Sequence, residues 1–499
     1  MTGQNFTPDD ERRFEEYMDA LADTLAHEPR IAALNGYCTG LLLPLERKTM
    51  ETMAAHLAPD RTLAMQHRLQ NFITDAPWDD GAVLATVRAQ VLPVMEERGA
   101  IRSWIVDDTS VPKKGKDSVG VARQYCGQLG KVDNCQSLVT LSIANATAAL
   151  PIAARLYLPD EWARDEERRA QVGVPLDVAF QTKPAIALDQ IRVAHATGVP
   201  SGVVLADEAY GANGAFRRDV AALGLPYALG VPSTLRVLPP TDRRRARRWR
   251  GHSAPLSVRE AATLLPRSAW RWVTWRDGTG PELTGRFATM RVRVGPDGAE
   301  DEQTLLVEWP VGERAPVGYW LVTLPSTTAL ATVVGTAKDR WWVERGYREL
   351  KREVGLRDFQ GRGWRGFHHH VTLCIAAYGF LVQRRCRHPH ADQAGTSARN
   401  LPYPRVTDPA SPPVRPERHV PWSIRTLRKR LAVGLAHRLP RCPCCQARQS
   451  PRDPHPPIEV SAQIEKADGK IYTVVKMSDG QTFHISDKFD YLIRCANTQ

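Results

Sequence analysis

Cysteine is scarce and scattered. The nine cysteines among 499 residues stand at 38, 126, 135, 374, 386, 442, 444, 445 and 495, without the dense, even framework of a small disulfide-stapled domain. A reduced cytoplasmic setting is therefore expected. No run of about 18 apolar residues occurs, and Met1 to Arg13 is polar and charged with no apolar signal core. The expectation is a chain that neither spans a membrane nor leaves the cell by a recognisable signal. No repeat at a fixed period is visible. Acid is also short: 55 Asp and Glu face 67 Lys and Arg, for a net charge of +12 and a pI near 9.4. Most of the excess is arginine, whose planar guanidinium suits two-point contact with phosphates, so nucleic acid is the first partner to consider.

What is present is ordinary for a globular protein: 42% hydrophobic and 24% charged residues. The length suggests about three units. Residues 1–100 read as an N-terminal helical domain, a possible DNA-binding one, with apolar spacing at Phe14, Leu21 and Leu25 and again at Leu84, Val87, Val91 and Val94. From Ile101 the period changes. Trp104 to Val106, Leu138 to Ile143, Ala153 to Leu158 and Gly202 to Ala206 are strand candidates, and Gly214 to Leu223 is a helix candidate, within a first part of a catalytic core at 101–231.

Residues 232–325 show β-type alternation at Trp270 to Trp275, Phe287 to Val294, Thr304 to Trp309 and Trp320 to Thr323, and read as a β-stranded insertion. The core resumes at 326–400, with one helix expected from Ala337 to Val354, stopped at Gly355, and an apolar one from Val371 to Val382. Residues 401–457 read as a Pro- and Arg-rich linker with a basic helix at Ser423 to Leu435. The tail, 458–499, replaces arginine by lysine and reads as a small β-hairpin through Ser478, Asp479 and Gly480.

Three carboxylates carry the chemistry. Asp108 is expected at the end of one buried strand, Asp207 at the end of another and Glu344 on a helix, so distant segments could meet at one sheet edge. Taken singly, an aspartate after a strand is most often a turn or cap residue. Taken together, they offer the oxygen ligands that hard divalent cations prefer and that two-metal phosphodiester cleavage needs. Around Glu344, the residues Val343, Tyr347, Leu350 and Val354 form an apolar stripe expected to pack on the sheet. Arg340, Glu344, Arg348 and Lys351 form a neighbouring charged stripe. Read blandly, Arg340 and Glu344 are a surface ion pair of little worth.

These residues resemble the DDE transposases of bacterial insertion sequences, in the group whose glutamate lies in a Tyr, Arg, Glu, Lys signature. Within AKDRWWVERGYRELK the signature positions are Ala337, Arg340, Glu344 and Lys351, with alanine in the tyrosine's place. The segment WIVDDTSVPKKGKDSVGVARQYCGQLGKVDNCQ is similar to the first-Asp region of an actinobacterial-type branch, and VVLADEAYG to the second. The resemblance covers about residues 10 to 445. Matching DDTS to the family pattern makes Asp108 the first catalytic acid, with Asp107 turned away or standing behind it. The spacings, 99 residues from Asp108 to Asp207 and 137 from Asp207 to Glu344, leave room in the second gap for the group's β-stranded insertion.

The resemblance implies an α/β fold: an RNase H-like mixed sheet flanked by helices, with an N-terminal helical domain and an all-β insertion. It implies metal-dependent cleavage at transposon ends and strand transfer into target DNA. Asp108, Asp207 and Glu344 would hold two Mg2+ ions, or Mn2+ in their place, while Arg340 and Lys351 bind phosphates. The partners would be double-stranded DNA, as terminal inverted repeats and target, and a second copy in a homodimer. The bacterial chain would be cytoplasmic and nucleoid-associated when acting.

Other basic and aromatic features follow. Lys113 and Lys114, just after the first acid, and Arg244 and Arg247, in the arginine run of the insertion, are expected on DNA phosphates. Trp249, Trp272, Trp275 and Trp309 are candidates for stacking on an extruded base. Cys442, Cys444 and Cys445, with His437 or His455, have the wrong spacing for a structural zinc site. His368, His369 and His370 are expected to start a helix or face phosphates.

Overall fold

The computed structural model describes residues 7–25, 27–249, 254–276, 282–295, 302–387 and 422–440, together with the strands 459–465, 471–476 and 482–486. It divides into a large unit, Met1–Pro440, and a small one, Arg441–Gln499. The described part of the small unit is a three-stranded antiparallel sheet. The cysteines at 442, 444 and 445 lie outside the described residues.

The first hundred residues of the large unit are helical: α1 (Pro8–Ala22), α2 (Glu28–Leu42), α3 (Met50–Leu57), α4 (Thr62–Thr74) and α5 (Asp80–Glu96). Their starts follow from local chemistry. Thr7 and Thr49 each cap a helix reciprocally with the residue three positions on, and Asp79 caps α5.

The sheet follows with β1 (Ser103–Pro112), β2 (Ala122–Cys126), β3 (Lys131–Ala144) and β4 (Ala149–Leu156). Then come α6 (Asp160–Ala163), α7 (Glu166–Gln171), α8 (Lys183–Ala196), β5 (Val203–Ala206), α9 (Glu208–Gly211), α10 (Gly214–Ala222) and β6 (Tyr227–Gly230). β3 lies antiparallel to β1, which lies parallel to β5, and β5 parallel to β6. The side of β3 away from β1 is shared, by β2 along its first part and β4 along its last. This is the RNase H-like arrangement: a mixed sheet with helices on both faces and its central strand the first in the chain.

The segment after β6 contains β7 (Arg236–Val237), α11 (Arg243–Ala246), β8 (Leu256–Ser257), α12 (Val258–Thr263), β9 (Arg271–Arg276), β10 (Glu282–Val292), β11 (Gln303–Pro310) and β12 (Gly318–Val322). Its four long strands continue the core sheet instead of standing apart, because β12 pairs with β6 and the order runs on through β11 and β10 to β9. Short helices α11 and α12 accompany them.

The remaining helices are α13 (Leu330–Lys338), α14 (Trp341–Glu353), α15 (Trp364–Arg387) and α16 (Ile424–Arg438). The single helix expected from Ala337 to Val354 is therefore broken at Asp339 and Arg340, where tight bonds from Asp339 N–H to Thr336 O and from Trp342 N–H to Asp339 O turn the chain. The break frees Lys338 to pair with Glu308 of β11 at 2.8 Å. Gly355 closes α14 in the left-handed region, with φ of 78°.

The core runs through both layers. It includes Trp104, Leu141, Val204, Leu229, Leu306 and Leu321 from the sheet and Tyr17, Leu34, Val91 and Phe380 from the helices. No helix among the described residues is long and apolar enough to cross a membrane.

Candidate active site

The site lies where the parallel pair β1 and β5 ends. Their ladder runs from Ser103 opposite Val203 to Ile105 opposite Leu205, so two residues further on Asp107 stands level with Asp207. Ligand sites of α/β sheets form at such carboxyl ends. β1 does not stop at Asp108, as the sequence reading has it. It continues to Pro112, held by β3 through Pro112 opposite Cys135, and the two acids sit in mid-strand and point to opposite faces.

On one face Asp107 is buried, 8% exposed, and its carboxylate lies 3.1 Å from the Arg340 guanidinium. Burial pushes this carboxyl up to about 7; Arg340 opposes the shift, while Asp207 and Asp108 add to it. Thr140, opposite Asp107 on β3, shares a 2.8 Å hydrogen bond with the Tyr347 hydroxyl of α14. On the other face Asp108 is half-buried, receives Lys183 of α8 at 2.7 Å and accepts from the Ser137 hydroxyl at 3.0 Å and from the Tyr210 hydroxyl at 3.5 Å.

Asp207 caps α9, accepting from the Ala209 N–H at 3.0 Å. The single turn that follows presses against β6. A Cβ on Gly211 would come within 1.9 Å of the Gly230 carbonyl oxygen, so only glycine permits this approach. The same turn buries Tyr210, whose hydroxyl burial pushes well above its ordinary range, helped by Asp108.

α14 supplies the remaining groups. Val343, Tyr347, Leu350 and Val354 are buried, as the apolar stripe requires. Glu344 is exposed, with its side chain at 56%, and pairs with Arg340 at 3.0 Å. Burial lowers the Arg340 guanidinium, but Asp107, Glu344 and Asp207 outweigh it and hold the group above its ordinary value. Arg340 is thus the hub: it senses three of the four carboxylates. Ala337 belongs to α13, a different helix from Glu344, and is buried.

The other expected DNA contacts divide. Lys351 is half-buried and donates to the Ser110 carbonyl at 2.8 Å, tying α14 to β1; burial lowers its ammonium. Lys113 donates to the Phe359 carbonyl at 2.7 Å, and burial brings it down to about 8. Lys114, Arg244 and Arg247 are exposed. Of the four tryptophans, Trp249 is buried, Trp275 meets Phe287 edge-on and Trp309 lies under Arg286, 4.1 Å from the guanidinium. Trp272 alone of these is open, at 62%.

Sequence reasoning passed over Lys183, Ser137, Thr140 and Tyr210. Tyr210 was findable, three residues after Asp207 and so on the same face of one turn. Lys183 follows the Thr182 cap of α8, a start signal that says nothing about what the lysine reaches.

The donors are of the kind a hard divalent ion takes, all carboxylate oxygens. Among the described residues no three Asp, Glu, His or Cys groups are gathered closely enough to hold a metal as they stand, since Glu344 is turned to Arg340. The residues therefore fit a metal in the chemistry of their donors, while Glu344 is held by Arg340.

An RNase H-like sheet with acids at the end of its central parallel pair and a further acid on a helix after an insertion defines a polynucleotidyl-processing class of protein. The chain belongs to the family described as DDE superfamily endonuclease, whose model matches residues 20–282, more than half of the 499 residues. That match carries Asp107, Asp108 and Asp207 and ends before Glu344. The chain is also similar to the probable transposase for insertion sequence element IS701 of Microchaete diplosiphon. The two are 28% identical over 339 residues, which is 64% of this chain and 74% of the relative. Enzymes of this superfamily generally depend on a divalent metal.

Proposed function

We propose that this DDE endonuclease is the transposase of an insertion sequence, cutting DNA at the element's ends and joining the freed ends to target DNA. The observation that carries the reading is the convergence of Asp107 and Asp108, Asp207 and Arg340 at the end of β1 and β5, with Glu344 paired to Arg340 on α14. The likeness to the IS701 protein supplies the substrate class.

Asp108, Asp207 and Glu344 would hold the metal ions, two Mg2+ on this reading, with Asp108 the more accessible acid of β1. Bound divalent ions would activate the attacking oxygen and stabilise the leaving one. Asp107, buried and fixed on Arg340, orients that guanidinium between the acids. Arg340 then changes partners, releasing Glu344 and meeting the phosphate of the DNA. Lys183 holds Asp108 and Lys351 holds the Ser110 carbonyl, so the strand and the helix keep their register while DNA enters. Exposed Lys114, Arg244 and Arg247 bind backbone phosphates, and two copies act on two ends.

A second reading has an observation of its own: Asp107, not Asp108, stands level with Asp207 on the α14 face, which would make Asp107 the ligand and Asp108 the partner of Lys183. Cleavage of duplexes carrying the element's terminal repeats decides both matters. Wild type and Asp207→Ala giving equal products would overturn the catalytic assignment. Asp108→Asn abolishing cleavage while Asp107→Asn only weakens it supports the first reading, and the reverse supports the second.

A further inference from the structure

A groove of about 720 Å³ runs between α14 and α16, starting beside Glu344. Its walls are charged. On α14, Glu344, Arg348 and Arg352 follow at four-residue intervals and are exposed; on α16, Arg425 and Lys429 do the same. The acids that line it are already engaged. Glu349 pairs with Arg345 at 2.8 Å, Glu353 with Arg428 at 2.8 Å and Glu344 with Arg340 at 3.0 Å. Arg348, Arg352 and Lys429 have no acidic partner among the described residues, so the groove carries a surplus of positive charge.

The groove is a built feature. Arg428 is buried, and besides Glu353 its guanidinium donates to the carbonyls of Leu42 and Leu43 at 3.3 Å. These bonds fix α16 against α14 and α2. Arg348 and Arg352 lie about 6 Å apart along the helix axis, on the order of two base-pair rises of about 3.4 Å along a duplex axis.

We propose that this groove is a track for the sugar-phosphate backbone of duplex DNA, carrying the duplex to or from Glu344 independently of base sequence. The proposal rests on Glu344 marking the site of cleavage for its direction, but the binding itself does not need the carboxylates to cut. A lining that is charged or polar apart from Trp341 suits a ribbon of phosphates rather than an inserted apolar side chain.

The test is binding of the full chain, in EDTA, to a labelled duplex of random sequence about 25 base pairs long, followed by fluorescence anisotropy across a salt titration. The triple variant Arg348→Gln, Arg352→Gln, Lys429→Gln is compared with a control that removes three exposed arginines elsewhere, Arg102→Gln, Arg164→Gln, Arg192→Gln. The groove variant is expected to bind at least about tenfold more weakly near physiological salt, with the slope of log affinity against log salt reduced by about two to three. The charge-preserving set Arg348→Lys, Arg352→Lys, Lys429→Arg restores most of that slope, which a folding defect would not allow. Loss no greater than in the control overturns the track, whatever cleavage assays say of Glu344. Loss confined to the groove set supports it even if Asp207→Ala proves the catalytic assignment wrong.

Discussion

Two of the helices that follow the insertion strands, α14 and α15, treat their polar groups in opposite ways. α14 buries one face and leaves Glu344, Arg348 and Arg352 in solvent. α15 is buried along almost its whole length, and its histidines and Gln383 find partners inside. His368 donates from Nδ1 to the Trp364 carbonyl and accepts the Leu156 N–H at Nε2; Gln383 donates to the Gln90 carbonyl. His370 accepts the Tyr37 hydroxyl at Nδ1, 2.8 Å away, and donates from Nε2 to the Gly355 carbonyl. His369 stacks on Trp78 at 3.6 Å. The histidine triplet therefore neither starts the helix nor faces phosphates. Buried groups that are satisfied hold a fold, and charges left exposed beside a carboxylate site are available to a ligand.

The largest expected effect breaks the comparison at α14. Glu344→Gln should lower DNA cleavage by about a thousandfold or more, as loss of a charge that acts on the reacting groups does. Its melting temperature should stay within about 1 °C, since an exposed ion pair contributes less than about 1 kcal/mol. A large drop in both would make α14 a structural helix like α15.

The converse belongs to α15. Phe380 is fully buried, its ring 5.0 Å from Phe14 and 5.4 Å from Tyr17. Phe380→Ala should destabilise the chain by about 3–5 kcal/mol in denaturant unfolding. At a temperature where the variant is folded, its cleavage rate per folded molecule should match wild type.

Acid separates the two regions by sign. Burial brings His370 down to about 4, against about 6.5 unfolded. The unfolded chain therefore binds more protons between those values, and stability falls as pH drops from about 6.5 towards 4, by about 3 kcal/mol from this group. Asp107, pushed up to about 7, works the other way: its contribution is present below about 3.9 and is lost as pH rises through 7. Unfolding midpoints measured from pH 4 to 8 should show His370→Gln flattening the acid limb and Asp107→Asn removing the opposing loss that runs from about pH 4 to about 7. An unchanged acid limb in His370→Gln would show that His370 is not held neutral.

Local signals made part of this legible. The apolar stripe of α14, the stop at Gly355 and the strand leading into Asp207 are all periodic or capping features, and the structure has them. The continuation of β1 beyond Asp108 was not legible, because Thr109 to Pro112 stay in the strand through their ladder with β3. The break at Asp339 was hidden too, since neither Gly nor Pro marks it and the pull comes from Glu308, thirty residues earlier. The candidate site was legible as a set of residue types. Which face each acid of β1 takes depends on strand register, and that is set by partners far away in the sequence.

The smallest effect tests how tightly α14 is held to the sheet beneath Asp107. Tyr347 and Thr140 share one buried hydroxyl pair, and Tyr347→Phe leaves the Thr140 hydroxyl without that partner, at a cost of about 1–2 kcal/mol. Thr140→Val should cost a similar amount. Because each single change strands the other hydroxyl, the double variant should cost clearly less than the two together, and a cycle built from the four unfolding curves isolates the coupling. Additive costs would mean the bond contributes nothing specific. Glu344 lies one helical turn before Tyr347, so cleavage by Tyr347→Phe should fall only a fewfold. A loss as large as that of Glu344→Gln would instead place the Tyr347 hydroxyl among the groups that meet the substrate.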